Sequence, residues 1–376
     1  MPSRPILMIL DNFRIGGIQR LALDQLFALS DLGIPTIACY REVKSTINNP
    51  NFLSLEAERI RQKKINIVAL PEGNLAQIIF ILRISRKQDF ELVINHSVGA
   101  SVILRLVKIL TLKDFKIKTF IHQLPTLSAT SQRIKRFIYS LTADEIFGYS
   151  QAVVNDWNKR VDSTFFSKKM LGWKRPTVLR NGIYLSRLPK TPIKKPKKQN
   201  FTRMIFIGRS VAWKNLDFII SSLRIHDLNR FRALLILPSI DSALTTSLKN
   251  EFGKRVEFEI GRKIEDIEFL QSDINVYPVD YGPKADYIES LSLNCLEMAC
   301  LGIPSLVSKN GTETWPELDE SGLIIQVDWS DQHEFRSVLE SLTVDRNFDC
   351  QIEVIRELVS IERNIEQIVG KTSREQ

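Results

Sequence analysis

Residues 6–10 form an unbroken apolar run that stops at Asp11, and apolar positions return at Leu21, Leu23, Leu26, Phe27 and Leu29 before Gly33. A short continuous run is the pattern of a strand buried on both faces, and the second pattern predicts a helix. The alternation recurs along the chain. Strand-type runs fall at 36–40, 65–70, 92–95, 118–121 and 146–149, with helical stretches between most of them. The second half restarts at 204–207 and continues through 233–237, 256–258, 274–277, 303–307 and 323–327. Helical periods there cover 216–223, 334–342 and 351–368. Strands alternating with helices predict an α/β protein of parallel sheets with helices on both faces, in which ligands gather beyond the carboxyl ends of the strands. Between the halves, 189–200 is rich in proline and lysine and has no apolar period, so it reads as a linker. The expected division is a first domain over 1–188, the linker over 189–200, a second domain over 201–350 and a terminal helical segment over 351–376. At 376 residues and 44% hydrophobic the chain can bury two cores.

Chemistry concentrates at the loops that come after strands. Asn12-Phe13-Arg14-Ile15-Gly16-Gly17-Ile18-Gln19-Arg20 joins the first strand to the first helix. Gly16 and Gly17 there allow a ligand close to the backbone, and the helix start offers unpaired N–H groups to phosphate. After the strand at 204–207 comes Gly208-Arg209-Ser210-Val211-Ala212-Trp213-Lys214-Asn215-Leu216. Arginine presents a bidentate fork and lysine a compact charge, a pair apt for a diphosphate. Glu289 and Glu297 stand eight positions apart, Glu289 in a loop and Glu297 about two turns into the next helix. A carboxylate in a phosphate site is tolerable when aimed at neutral hydroxyls, such as those of a sugar or ribose. His96 and His122 each come directly after a strand.

Together these segments resemble the GT-B retaining glycosyltransferases, in particular the large nucleotide-sugar-dependent family 4. The resemblance is carried by the Glu-x7-Glu stretch Glu289-Ser290-Leu291-Ser292-Leu293-Asn294-Cys295-Leu296-Glu297 with Gly302-Ile303-Pro304 behind it, and by the Gly208–Lys214 loop. The first loop, Asn181-Gly182 and Gly261-Arg262-Lys263-Ile264 support it in the expected order. It implies two Rossmann-like domains facing a cleft, with the terminal helix crossing back to the first, and transfer of a glycosyl group with retention. The donor is then a UDP- or GDP-linked sugar, with no cofactor and no metal. Arg209 and Lys214 face the diphosphate, helped by Gly16, Gly17, Gly208, Ser290, Leu291, Ser292 and Leu293. Glu289 orients the sugar, Glu297 binds the ribose, Lys263 and Ile264 neighbour the base, and His122 lies near the donor sugar as a catalytic residue. Departures are Gln19 for glutamate, Ser292 for glycine, Cys300 near the helix end, and a longer loop before Glu289.

The net charge is +9, which favours an acidic partner. Basic residues cluster at Arg105, Lys108, Lys113, Lys116 and Lys118, at Arg133, Lys135 and Arg136, and along 190–198. The reading is an anionic membrane face carrying a glycan or lipid-linked acceptor. Nucleic acid is disfavoured, because aromatics do not interleave with the basic residues as stacking sites would. Four scattered cysteines exclude a disulfide framework or a CxxC zinc site. The longest apolar runs fall far short of a bilayer span, and the start has no cleavable signal pattern. The expected location is cytoplasmic, at the inner face of the membrane. A rival reading keeps the fold and drops catalysis, leaving a membrane-surface or assembly subunit.

Overall fold

The computed structural model describes residues 4–14, 16–41, 52–97, 99–122, 124–125, 129–162, 174–189, 201–211, 214–225, 230–239, 242–270, 272–279, 287–288, 291–309, 315–342 and 349–370. The chain opens with β1 (Ile6–Leu10), α1 (Gly17–Asp31), β2 (Thr36–Arg41), α2 (Phe52–Leu55), α3 (Ala57–Gln62), β3 (Asn66–Leu70), α4 (Asn74–Lys87) and β4 (Leu92–Asn95). It continues with α5 (Ser101–Thr111), β5 (Lys116–Ile121), β6 (Leu124–Pro125), α6 (Ala129–Thr142), β7 (Glu145–Gly148), α7 (Gln151–Asp162) and β8 (Thr177–Val178). The second half holds β9 (Thr202–Ile207), α8 (Leu216–Ile225), β10 (Phe231–Leu237), α9 (Ser242–Phe252), β11 (Val256–Ile260), β12 (Asp273–Tyr277) and β13 (Tyr287–Ile288). It ends with α10 (Leu293–Cys300), β14 (Ser305–Ser308), α11 (Pro316–Glu320), β15 (Ile324–Val327), α12 (Gln332–Ser341), α13 (Asp349–Leu358) and α14 (Ile361–Val369).

Two parallel sheets result. The first is 7-stranded, in the order β3-β2-β1-β4-β5-β7-β8, and the second 6-stranded, in the order β11-β10-β9-β12-β14-β15. In both, the chain reverses its direction of winding beside the first strand, so β1 lies next to β4 and β9 next to β12. At such a switch the connecting loops part and leave a crevice at the carboxyl edge. β1 and β12 are buried along their whole length; β1 accordingly reads as a continuous apolar run, whereas β12 also buries Asp273 and Asn275. The halves also share structure. β6 pairs antiparallel with β13, and one apolar cluster joins Leu26 and Phe27 of α1 to Leu296 of α10 and Ile365 of α14.

The terminal segment corrects the expected single helix over 351–368. It is two helices, broken at Ser360, which caps α14 and forms an isolated bridge with Ile183. α14 packs on α1 of the first half. The Asn181-Gly182 turn serves that contact: a Cβ on Gly182 would stand 2.7 Å from the Ile361 Cα. The basic clusters are corrected too. Lys118 is buried against Glu145 at 3.0 Å, Lys108 pairs with Asp144 at 2.8 Å, and Arg136, also buried, meets Asp156 at 3.1 Å. These three are structural ion pairs, while Lys116 of the same cluster is exposed. The side chains of Arg133 and Lys135, and residues 190–198, lie outside the described residues.

Because the obstacle at Gly182 is helix backbone, Gly182→Ala should displace α14 and cost about 1–3 kcal/mol. Urea unfolding reads this directly, and an unchanged midpoint would show that α14 does not hold the contact.

Candidate active site

β9 ends beside β12 at the switch, and the loops leaving β1, β9 and β11 together with the start of α10 build the site. Gly208 takes φ +156°, a conformation that side chains rarely adopt, and turns the chain while its N–H donates to Ile236 O at 3.1 Å. Arg209, the next residue, is exposed, with no side-chain hydrogen bond or ion pair among the described residues. Lys214 returns into the molecule and is buried, its Nζ hydrogen-bonded to the hydroxyl of Tyr277 at the end of β12 and 4.3 Å from that ring's centroid. Asn294, in the first turn of α10, donates from Nδ2 to Ile207 O at 2.8 Å, which fixes the helix start against the strand end.

Two helix N-termini open here. α1 begins after Gly16 and α10 after Ser292, neither with a side-chain cap. Their first N–H groups lack intrahelical partners and carry the positive ends of the helix dipoles. A cavity of about 470 Å³ lies between the halves and touches both. Its walls carry Gly16 and Gly17, then Gly208, Arg209 and Lys214, then Lys263 and Ile264, and Ser292, Leu293 and Glu297. The structure thus brings together ten residues that the sequence singled out separately. Seven cationic side chains face it (Arg14, Arg20, Arg187, Arg209, Lys214, Arg262, Lys263) against two carboxylates, Glu265 and Glu297.

Other expected positions fall elsewhere. Leu291 is buried beside the cavity, where its carbonyl accepts from Asn181 Nδ2 at 3.4 Å. His122 does not line the cavity; its Nε2 meets His96 Nδ1 at 2.8 Å and its ring stacks on Tyr149. Glu289 and Ser290 lie outside the described residues. Glu297 is the fifth of eight residues in α10, not two turns in, and its buried carboxylate is hydrogen-bonded to Arg187.

Arg187 is the residue that sequence reasoning missed. It stands in a single 3-10 turn before the linker, buried, with Nε 3.2 Å from Asp24 and Nη1 3.7 Å from Glu265 besides its bond to Glu297. Around it Arg20 reaches Asp24 at 3.2 Å, Glu56 at 2.5 Å and Glu265 at 3.8 Å. Arg59 reaches Glu56 at 2.7 Å and Glu265 at 3.4 Å, and Lys263 reaches Glu56 at 3.6 Å. Four cations and four carboxylates form one balanced network between the two halves. Burial opposes the Arg187 charge, but Asp24, Glu297 and Glu265 hold its pKa above the usual arginine value. Burial likewise opposes the Glu265 charge, yet Arg20, Arg187 and Arg59 hold its carboxyl below the usual glutamate range. A legible signal existed for part of this: Arg20 and Asp24 form a charged i,i+4 pair inside the apolar stretch of α1.

A carboxyl whose folded pKa is depressed contributes stability above its unfolded pKa, and that contribution is lost as pH falls through the folded value. Below the ordinary glutamate value of 4.5 the wild type should therefore lose thermal stability more steeply than Glu265→Gln. Parallel melting curves across that range would remove Glu265 from the network.

No family model matches the chain, and no curated protein matches it in sequence. Solved structures do match. The crystal structure of Anabaena Alr3699/HepE in complex with UDP and glucose aligns at TM-score 0.72 and 16% identity, covering 98% of this chain and 100% of that one. A glycosyltransferase from Rickettsia africae ESF-5 aligns at 0.71 and 13% identity, covering 98% and 100%. Sucrose-phosphate synthase from Thermosynechococcus elongatus aligns at 0.69 and 14% identity, covering 98% of each chain. With two switch-point sheets facing one cavity and full-length likeness to these transferases, the chain has the GT-B glycosyltransferase fold.

Proposed function

We propose that this protein is a retaining glycosyltransferase that moves a sugar from a nucleotide-diphosphate donor to a glycan or lipid-linked acceptor, in the synthesis of cell-surface polysaccharide or lipopolysaccharide. One observation carries the reading: Arg209, Lys214 and two uncapped helix N-termini converge on a single cavity at the switch points of both sheets. UDP is favoured over GDP as the carrier by the HepE complexes with UDP and with UDP-glucose. In the proposed step the bond between the anomeric carbon and the phosphate oxygen breaks while the acceptor oxygen bonds that carbon from the same face. The hydroxyl proton passes to the departing phosphate. Negative charge grows on the diphosphate as the bond breaks, so Arg209, Lys214 and the Ser292-Leu293 N–H groups act more strongly on the transition state than on bound donor. That excess of cationic walls takes the part a divalent ion plays in other transferases. Glu289 orients the sugar, Glu297 meets the ribose, and Lys263 with Ile264 flanks the base.

The rival reading, a GT-B-like subunit without catalysis, draws support from the bond between Arg187 and Glu297, which already engages the carboxylate meant for the ribose. A panel of nucleotide sugars assayed for transfer, hydrolysis and thermal shift separates the two. Loss of one transition-state donor typically costs about 10²–10³ in kcat, so Arg209→Ala should fall in that range while the fold stays intact. Turnover at the wild-type rate would detach Arg209 from the chemistry.

A peripheral position on an anionic membrane also belongs to this reading, by a face other than the basic clusters. Helix α5 exposes Val102, Leu106, Ile109 and Leu110 along one side, and the α4 helix packed on it exposes Leu75 and Ile79. Leu112 closes α5 with φ +52°, where glycine is usual, and is 92% exposed. An apolar ridge of this extent on a soluble face marks an interaction site. Exposed Arg83, Arg86 and Lys87 lie further along α4, the pattern of an interfacial anchor on acidic lipid. Among the described residues no helix is long and apolar enough to cross a membrane. The double variant Leu110→Glu, Leu112→Glu should sediment less with phosphatidylglycerol vesicles while keeping the wild-type mass in light scattering. Undiminished sedimentation, or a wild-type dimer that the variant dissolves, would reassign the ridge.

A further inference from the structure

The histidines at the ends of β4 and β5 stand outside the cavity, and hydrogen-bond direction determines what they can offer. The backbone carbonyl of Arg180 can only accept, and it lies 2.7 Å from the Asn364 side-chain nitrogen. The other end of that amide is therefore oxygen. It accepts from Gln25 Nε2 at 3.0 Å, and the second proton on that nitrogen points to the Tyr149 hydroxyl at 3.3 Å. Gln25 consequently turns its Oε1 to His96, 2.9 Å from Nε2, which must carry a proton. Burial pushes His96 down to about 3, so the ring is neutral near pH 7 and its Nδ1 is a bare lone pair. That lone pair faces His122 Nε2 at 2.8 Å. The proton between the two rings then belongs to His122, and His122 Nδ1 is left as an acceptor.

Stacking holds both rings in place, His96 on Phe120 at 4.9 Å and His122 on Tyr149 at 4.8 Å between centroids. Gln25, His96, Tyr149 and Asn364 are buried, whereas His122 is only half-buried. The relay thus runs from α14 through the first half and ends at the half-buried ring of His122. Two residues beyond His122, β6 pairs with β13, the strand that immediately precedes Glu289. No described residue bonds His122 Nδ1.

We propose that Asn364, Gln25 and His96 are positioning residues that hold His122 in the Nε2–H tautomer, so that its Nδ1 accepts a hydrogen bond from a hydroxyl of the sugar or the acceptor. The choice of a hydroxyl rests on the transferase reading; the tautomer does not. Long-range 1H–15N spectra of the full-length protein at neutral pH should show pyrrole-type Nε2 and pyridine-type Nδ1 for both His96 and His122. The opposite tautomer at His122 in the wild type overturns the relay.

Gln25→Met removes both ends of the amide at similar size. It should leave His122 a mixture of tautomers and lower kcat about tenfold, the size of one hydrogen bond, with donor KM little changed. Gln25→Glu, whose protonated carboxyl can donate to Asn364 and accept from His96, should restore one tautomer and the rate. A tautomer mixture with unchanged kcat would overturn the hydroxyl-reading role. If the wild type binds no nucleotide sugar, the transferase reading fails and the spectra still decide the relay; if Gln25→Met does not fold, the wild-type spectrum decides it.

Discussion

The guanidinium of Arg187 sits where α1, the 261–265 loop and the α10 helix meet, and the shape of the cavity rests on it. Its partners Asp24, Glu265 and Glu297 come from three separate stretches of chain and both halves of the molecule. A planar fork with five donors can address carboxylates lying in different directions, which a lysine ammonium on a flexible stem does less well. The cluster is buried, so its members are held by mutual compensation rather than by water. Removing one partner from such a site typically costs about 3–5 kcal/mol, because the charges left behind have nothing to offset them. The same atoms that join the two halves also form one wall of the proposed donor site.

Charge is distributed unevenly around that cavity. At the Arg187 end cations and carboxylates cancel, and the network is electrically quiet. At the other end Lys214 is bonded to the Tyr277 hydroxyl, and Arg209 meets no carboxylate among the described residues. The two helix N-termini add partial positive charge. Positive potential is thereby concentrated at the carboxyl edge of β9, and a diphosphate seated there gains most from a wall of low polarity behind it, such as Ile207 and Ile236 provide.

The alternation of strands and helices was legible because central parallel strands are buried on both faces; β1, and the apolar stretches within β4 and β9, announce themselves as continuous runs. The cavity was legible where a short motif packs several functional residues into one loop, as with Gly208, Arg209 and Lys214, or Ser292, Leu293 and Glu297. Arg187 was not, since its role depends on carboxylates far away in sequence that only the packing of the halves brings within reach. The basic clusters misled for a related reason: Lys118 and Arg136 look like surface charge in sequence, and pairing with Glu145 and Asp156 buries them. The break at Ser360 also escaped the helical period, because α13 and α14 keep apolar residues at compatible spacing on either side of it.

The pairing of β6 with β13 bears on how the two halves move. Each partner is two residues long, and one belongs to each half. A movement that separated the two strands would break only this short ribbon and expose little backbone. β13 ends at Ile288, so the seam between the halves lies next in sequence to Glu289, the carboxylate proposed to orient the sugar.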